Sequence, residues 1–317
     1  MRVLVTGAGM VGCYLARELT EAGDEVTLFE LNPVMPYIKN VVDLNRVKVV
    51  RGNILNLPDL MHALKDSGAE WIVHTAALLG ASVNLAPFTA VQVNINGVVN
   101  VIEAAQLSGV KRIVYTSTGG VYKRKATAPM KEDHPLESSS LYNASKVSAE
   151  LLGLQYSNLL KVEFIIIRYP VGYGPTFSAK GSIYGGIIED LVRLPAAGKP
   201  VVVKRTQPFT KLNEYIYMKD MAHGAALALK AEGLKDKVFN IASEVLTDLE
   251  DLAAVVRKLI PKAEITIEEP VGPLKPDPTL FPMDNSRARE QLGYEPKYLP
   301  AEGLKDYLAE IPKVLVS

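Results

Sequence analysis

The chain has 317 residues, with 35 Lys and Arg against 35 Asp and Glu, so its formal net charge is zero. A domain that neutralises a phosphate backbone carries a net basic face, and a peripheral membrane anchor carries a basic amphipathic stretch; neither is present, so no nucleic acid and no membrane is expected as partner. Hydrophobic residues make up 48%, enough for a large core, and the length suits two domains or one α/β unit with an added lobe.

Cys13 is the one cysteine, which excludes an intramolecular disulfide and a multi-cysteine metal cluster and points to a reducing, cytoplasmic compartment. The start, MRVLVTGAGMVG, has a short apolar run broken by glycines and does not read as a signal peptide. No apolar run approaches the roughly 18 residues of a transmembrane helix.

Six brief runs rich in Val and Ile read as buried strands: Val3 to Thr6, Glu25 to Phe29, Val47 to Arg51, Trp71 to His74, Arg112 to Thr116 and Glu163 to Ile167. Helix-length segments separate them. A parallel strand pair needs a crossover, which a helix supplies, so the alternation predicts an α/β fold, a Rossmann-type doubly wound parallel sheet covered on both faces. Beyond residue 172 the alternation loosens and most of the 20 prolines occur. Residues 1–171 are therefore expected to form the nucleotide-binding domain, and 172–317 mostly a smaller α/β substrate lobe, with about 212–245 returning to the first domain. Helices are expected near Met218 to Ala231, Asp248 to Leu259 and Asn285 to Leu292, and strands near Val201 to Val203 and Val238 to Ile241.

Directly after the first strand comes Thr6-Gly7-Ala8-Gly9-Met10-Val11-Gly12, a GxGxxG run opening a helix. Glycines let the backbone turn tightly and approach a pyrophosphate, while the helix N-terminus offers unpaired N–H groups and the positive end of its dipole. Glu30 closes the second strand, where a carboxylate accepts hydrogen bonds from a ribose 2′-hydroxyl and repels a 2′-phosphate. No Arg or Lys lies between Glu30 and Ile38, so the cofactor expected is NAD rather than NADP.

Tyr142-Asn143-Ala144-Ser145-Lys146 puts a phenol and an ammonium on one face of a helix. An unperturbed tyrosine, with a pKa of about 10, is a poor base at neutral pH, and a nearby cation favours the phenolate. Upstream, Tyr115-Thr116-Ser117-Thr118-Gly119-Gly120-Val121-Tyr122 places hydroxyls at the end of a buried strand, where doubly wound sheets bind ligands.

With these in order, the sequence resembles the extended short-chain dehydrogenase/reductase family, also called the NAD-dependent epimerase/dehydratase family. The likeness covers nearly the whole chain and includes His74-Thr75-Ala76-Ala77, Asn94-Ile95-Asn96-Gly97, Arg168-Tyr169-Pro170-Val171-Gly172-Tyr173-Gly174-Pro175, Tyr215-Ile216-Tyr217-Met218-Lys219-Asp220 and Asp284-Asn285-Ser286-Arg287-Ala288. The resemblance implies Tyr142 as general acid/base, Lys146 as the group that holds the nicotinamide ribose and lowers the phenol's pKa, and Thr118 as binder of the reacting oxygen. It implies cofactor contacts from Gly7, Gly9, Met10, Val11, Gly12, Glu30, Asn53, Ile54, Ala76, Ala77, Asn94, Thr116, Tyr142, Lys146, Tyr169 and Val171. Asn53 stands where the family commonly has Asp at the adenine, and Asn94 is read as shaping its helix beside the site. It also implies a homodimer through the helices at 84–107 and 141–160.

Two departures matter. The fingerprint is one residue shorter than the family's TGxxGxxG. The arginine with which family members clamp a sugar nucleotide's diphosphate is replaced in Asn213-Glu214-Tyr215-Ile216 by Asn213, and a second one by Lys275. Lys204, Arg205 and Lys211 lie nearby and are read as a solvated face, with compensation for the lost arginine as the alternative. Substrate contacts are expected from Leu79, Ser117, Thr118, Gly119, Asn213 and Lys275. The leading expectation is an NAD-dependent dehydrogenase acting on a sugar, sugar acid or similar small polyhydroxylated compound. A nucleotide-sugar epimerase, and a silent NAD sensor on the same fold, are the alternatives. A dehydratase fits less well, because Gly119 and Gly120 stand where those enzymes carry acids; the same glycines are expected to leave room beside the nicotinamide. His62, His134 and His223 show no metal-ligand spacing, His74 is read as packing, and no metal is expected. Cys13, at the helix start, is expected to be inert packing.

Overall fold

In a computed structural model, residues 1–123, 128–176, 183–205, 212–268 and 281–314 are described. The chain runs through β1 (Arg2–Thr6), α1 (Met10–Glu21), β2 (Glu25–Glu30), α2 (Met35–Val41), β3 (Val47–Arg51), α3 (Leu57–Ser67) and β4 (Trp71–His74). Then come α4 (Gly80–Leu85), α5 (Pro87–Val91), a π-helical turn (Gln92–Asn96), α6 (Gly97–Leu107), β5 (Arg112–Thr118), α7 (Leu141–Leu160) and β6 (Glu163–Tyr169). The later part holds β7 (Val171–Tyr173), α8 (Ile183–Ala196), β8 (Val201–Lys204), β9 (Leu212–Tyr217), α9 (Met218–Lys230) and β10 (Val238–Asn240). It ends with β11 (Leu246–Asp248), α10 (Leu249–Leu259), β12 (Ile265–Glu268), α11 (Ser286–Leu292) and α12 (Pro300–Val314).

The main sheet has seven parallel strands in the order β10-β6-β5-β4-β1-β2-β3, a doubly wound Rossmann-type arrangement. Its strands are apolar at successive residues because both faces are covered. Val3 and Val5 pack on the side of α1 and α9, while Leu4 between them packs on the side of α3 and α6; Ile165 and Ile167 alternate with Phe164 and Ile166 in the same way. The run at 238–240 forms the edge strand β10 beside β6, and α9 lies against α1. The remaining strands make two small sheets, β11-β9-β7 and β12-β8.

Two local features set the site. Helix α7 starts cleanly because the Ser140 side chain accepts from the Asn143 N–H at 3.1 Å, a helix cap that fixes Tyr142 in the first turn. The segment expected as one helix over 84–107 is instead broken into α4, α5, the π turn and α6. Its π turn carries Asn94, whose side chain accepts from Leu78 N at 2.8 Å and donates to Leu78 O at 3.0 Å and to Ser145 Oγ at 3.0 Å. A single wide turn inserted in a helix re-aims one side chain, and here it stitches the loop after β4 to α7.

Candidate active site

The glycine run forms a cradle at the carboxyl end of β1. Helix α1 begins at Met10, with Gly9 as its cap residue and no side chain satisfying its first N–H groups, and nothing lies within 4 Å of where a Gly9 side chain would begin. An uncapped helix end facing open space is an anion site. A Cβ on Gly12 would stand 1.9 Å from the Gly7 carbonyl oxygen, so only glycine lets the loop fold back on the helix. Thr75 Oγ1 donates to the carbonyls of Thr6 at 2.8 Å and Gly7 at 3.1 Å, tying the loop to the end of β4. Met10 lies against Gly172 and Gly174, and Val11 is half-buried beside it.

Glu30 does more than the sequence suggests. One carboxylate oxygen accepts from the Ala8 N–H at 2.9 Å, and the other from Asn32 N–H at 3.0 Å, so it braces the shortened loop while sitting at the end of β2. Asn53 turns its side-chain oxygen to the Leu55 N–H at 2.9 Å. Ile54 is buried against Gly97, and Ala76 and Ala77 are half-buried after β4, with Ala76 beside Gly7. These residues fit a dinucleotide: an open anion site, a carboxylate at the second strand, and small side chains along the groove. Truncation by Glu30→Ala is expected to weaken NAD about tenfold, the loss of a charge-assisted hydrogen bond, and to raise the preference for NADP relative to NAD. Titrating both cofactors by calorimetry checks this.

Across the groove, Thr118 ends β5 and its Oγ1 accepts from the Gly120 N–H at 3.1 Å, leaving the hydroxyl hydrogen for a substrate oxygen. Gly119 and Gly120 do not leave empty room: the places their Cβ atoms would take are filled from 2.6 Å away by Met283 Sδ and Asn143 Oδ1 respectively. That contact with Asn143 brings the Thr118 turn against the start of α7. Tyr142 is half-buried there. Lys146 is buried one turn on, donates to the Thr116 carbonyl at 2.9 Å, and stands over the Tyr115 ring at 4.6 Å and 6.0 Å from the Tyr142 ring centroid. Thr116 Oγ1 donates to the His74 carbonyl at 3.1 Å.

Burial pushes the Lys146 ammonium down to about 8, with Glu150 opposing it. Burial also holds the Tyr142 phenol above its ordinary value. This differs from the expected lowering, because desolvation outweighs a cation whose hydrogen bond goes to Thr116 and not to the phenol. A neutral phenol gives a proton to a ketone oxygen, and taking one from an alcohol needs the Lys146 charge close at hand.

Other expected contacts are placed as follows. Ser117 points away from the Thr118 turn and its Oγ donates to Glu150. Tyr169 turns its phenol to the Met221 carbonyl at 2.8 Å, so its backbone alone lies beside Gly119; Val171 is half-buried in β7. Leu79 is 40% exposed before α4. His74 is buried, hydrogen-bonded to Thr6 at 2.5 Å, and burial drives its imidazole down to about 3, so it packs as a neutral ring. Cys13 is fully buried with its thiol toward the Ala8 carbonyl at 3.3 Å, and desolvation raises its pKa, which disfavours the reactive thiolate. No cluster able to hold a metal occurs among the described residues.

An open helix end over a glycine loop, a carboxylate closing the second strand, and Thr118 at the end of β5 facing Tyr142 and Lys146 on α7 fit a nicotinamide-dependent enzyme on a Rossmann fold. The chain belongs to the NAD dependent epimerase/dehydratase family, whose profile matches residues 3–242, and its cofactor is NAD. It is 30% identical over 310 residues, covering 96% of both chains, to a UDP-glucose 4-epimerase of Mycolicibacterium smegmatis. Among solved structures it is similar to a UDP-glucose 4-epimerase of Thermus thermophilus in complex with NAD, at 24% identity and TM-score 0.81 over 99% of this chain and 100% of that one. It is also similar to a UDP-glucuronic acid 4-epimerase of Bacillus cereus in complex with UDP-glucuronic acid and NAD, at 25% identity and TM-score 0.79 over 99% and 100%.

One expectation is corrected outside the main sheet. Arg205 is no part of a solvated face: it is 7% exposed and its guanidinium binds Asp248 with contacts of 2.9 and 3.2 Å. Lys204 is 76% exposed and lies 3.9 Å from Glu268. Asn213 sits in β9 opposite Thr247 of β11. Beside it, Glu214 is buried, accepts from Met283 N–H at 2.8 Å and Glu244 N–H at 2.6 Å, and is pushed up to about 7 by burial. Lys211 and Lys275 lie outside the described residues.

Proposed function

We propose that the protein transfers a hydride between NAD and a secondary alcohol or ketone of a sugar, sugar acid or similar small polyhydroxylated substrate. NAD, when bound, supplies the acceptor and donor of that hydride. Thr118 donates its hydroxyl hydrogen to the reacting oxygen, Tyr142 moves the proton at its Oη, and Lys146 supplies the positive charge that makes this exchange feasible near neutral pH. What favours oxidation over epimerisation is that Asn213 stands where the family resemblance implies a diphosphate-clamping arginine, while the buried guanidinium nearest in sequence, Arg205, is committed to Asp248. A flat, fixed cationic fork cannot be replaced by an amide.

A second reading, nucleotide-diphosphate-sugar 4-epimerisation, is supported by the mycobacterial relative at 30% identity. One assay separates them: NAD reduction with a panel of sugars, sugar acids and polyols, run beside epimerisation of UDP-sugars. Net NADH with a free sugar or sugar acid supports the first reading. Epimer without net NADH makes the second correct, and tight NAD binding with neither product returns the protein to the role of a sensor.

We place the enzyme in the cytoplasm as a homodimer formed by the helices at 84–107 and 141–160. No helix among the described residues is long and apolar enough to cross a membrane. Support for the dimer comes from apolar side chains presented outward on those helices, with Leu85 85%, Phe88 77% and Leu159 76% exposed. Sedimentation of the native chain is expected to give a dimer, and the Phe88→Glu/Leu159→Glu variant a folded monomer; an unchanged mass in the variant would place the interface elsewhere.

A further inference from the structure

One turn beyond Lys146 on the same face of α7 lies Glu150, a carboxylate that is 1% exposed. Arg168 of β6 grips it from the far side, Nε reaching the two oxygens at 3.1 and 3.2 Å and Nη2 one of them at 2.6 Å. Ser117 of β5 donates its hydroxyl to the same carboxylate. The guanidinium then points away from the site, with Nη1 donating to the Glu132 carbonyl at 2.9 Å and its plane over the Tyr122 ring at 4.8 Å. The pair is neutral as a whole but oriented: its negative end is on the helix of Lys146, and its positive end lies on β6.

Among the described residues, the other groups facing the ammonium supply no anion. From β4 comes His74, held neutral; from β5 come the Tyr115 ring and the Thr116 carbonyl; from α7 itself comes the Tyr142 phenol. Ion pairs as deeply buried as Glu150 with Arg168 contribute little net stability, because desolvation offsets most of the attraction. We propose that Glu150, locked by Arg168 and Ser117, is a positioning residue for catalysis: the fixed buried anion that keeps the Lys146 ammonium charged and seated against Thr116 beneath Tyr142. Ser117 and Thr118 are adjacent on β5, so the same lock sets the register of the reacting hydroxyl against α7.

This inference rests on the Tyr142–Lys146 reading of the site, and its test does not require the substrate. Chains labelled with carbon-13 at lysine Cε are titrated by NMR, with the Lys146 resonance assigned by its loss in Lys146→Met. In the native protein this amine is expected to titrate well below ordinary lysines, near the value of about 8 that burial favours. In Glu150→Gln, which keeps the shape and the Ser117 contact, the midpoint is expected to fall by roughly one further pH unit, because removing an opposite charge favours the neutral amine. Should the unpaired Arg168 prevent folding, Glu150→Gln/Arg168→Met serves instead and is expected to move the midpoint in the same direction. A merely structural role lowers the melting temperature and leaves the Lys146 titration where it was. An unchanged midpoint in either folded variant overturns the proposal. A native Lys146 that titrates with the surface lysines would instead contradict the reading of the site itself.

Discussion

Tyr142→Phe is expected to lower kcat by at least about a thousandfold while NAD affinity changes by no more than about twofold, in keeping with the size of general acid–base effects. The structure explains why the two readouts separate. Among the described residues no hydrogen bond ties the Tyr142 hydroxyl to the protein, so its removal leaves no folded-state partner unsatisfied, and the ring keeps its place in the first turn of α7 under the Ser140 cap. The cradle for the pyrophosphate lies across the groove on α1 and is untouched. Steady-state kinetics with a calorimetric NAD titration check both parts. Retained turnover would remove Tyr142 from the proton-transfer role, and a large loss of NAD affinity would make it chiefly a cofactor-binding residue.

Gly12→Ala carries the other large effect. A methyl group would have to lie 1.9 Å from the Gly7 carbonyl, and Thr75 Oγ1 stands 3.1 Å from the same place, so the loop cannot yield without breaking its tie to β4. We expect a hundredfold or greater fall in NAD affinity and, from overpacking, a stability loss of about 1–3 kcal/mol. Gly9→Ala is the contrast: its new methyl group meets nothing of the protein within 4 Å, so stability is expected to be unchanged and any weakening of NAD reports the cofactor's own approach. Chemical unfolding and NAD titration of the two variants distinguish a loop that only turns from a loop that holds a ligand.

Much of this was legible in the sequence because it is written in local signals. Val3 to Thr6 followed by a glycine run and a helix, and Tyr142 with Lys146 on one helical face, each place chemistry from neighbouring residues alone. What the sequence did not show depends on residues far apart in the chain. That Arg205 is a buried partner of Asp248 appears only when β8 is folded against the start of α10. Gly119 and Gly120 read as spare room until Met283 and Asn143 are seen to fill it. The expected fall in the Tyr142 pKa considered the charge of Lys146 and missed the desolvation that both groups suffer in the fold. Glu150 was within reach, since an acid one turn after Lys146 in an apolar stretch is a visible signal, but Arg168 had to be brought across from β6 to give it a meaning. The break of the 84–107 segment by a π turn at Asn94 left no recognisable mark in the sequence.

The choice between net oxidation and epimerisation is decided most directly by following the hydrogen on the reacting carbon. A sugar or sugar acid from the panel and, in parallel, a UDP-sugar, each deuterated at its secondary alcohol carbon, are treated with the enzyme and excess NAD. Net oxidation transfers the deuterium into reduced cofactor, with one NADH formed for each ketone and none of the label left on that carbon. Recovery of the deuterium on the same carbon in inverted configuration, with no accumulated NADH, would show that the hydride is returned and that Asn213 does not exclude an anchored sugar nucleotide.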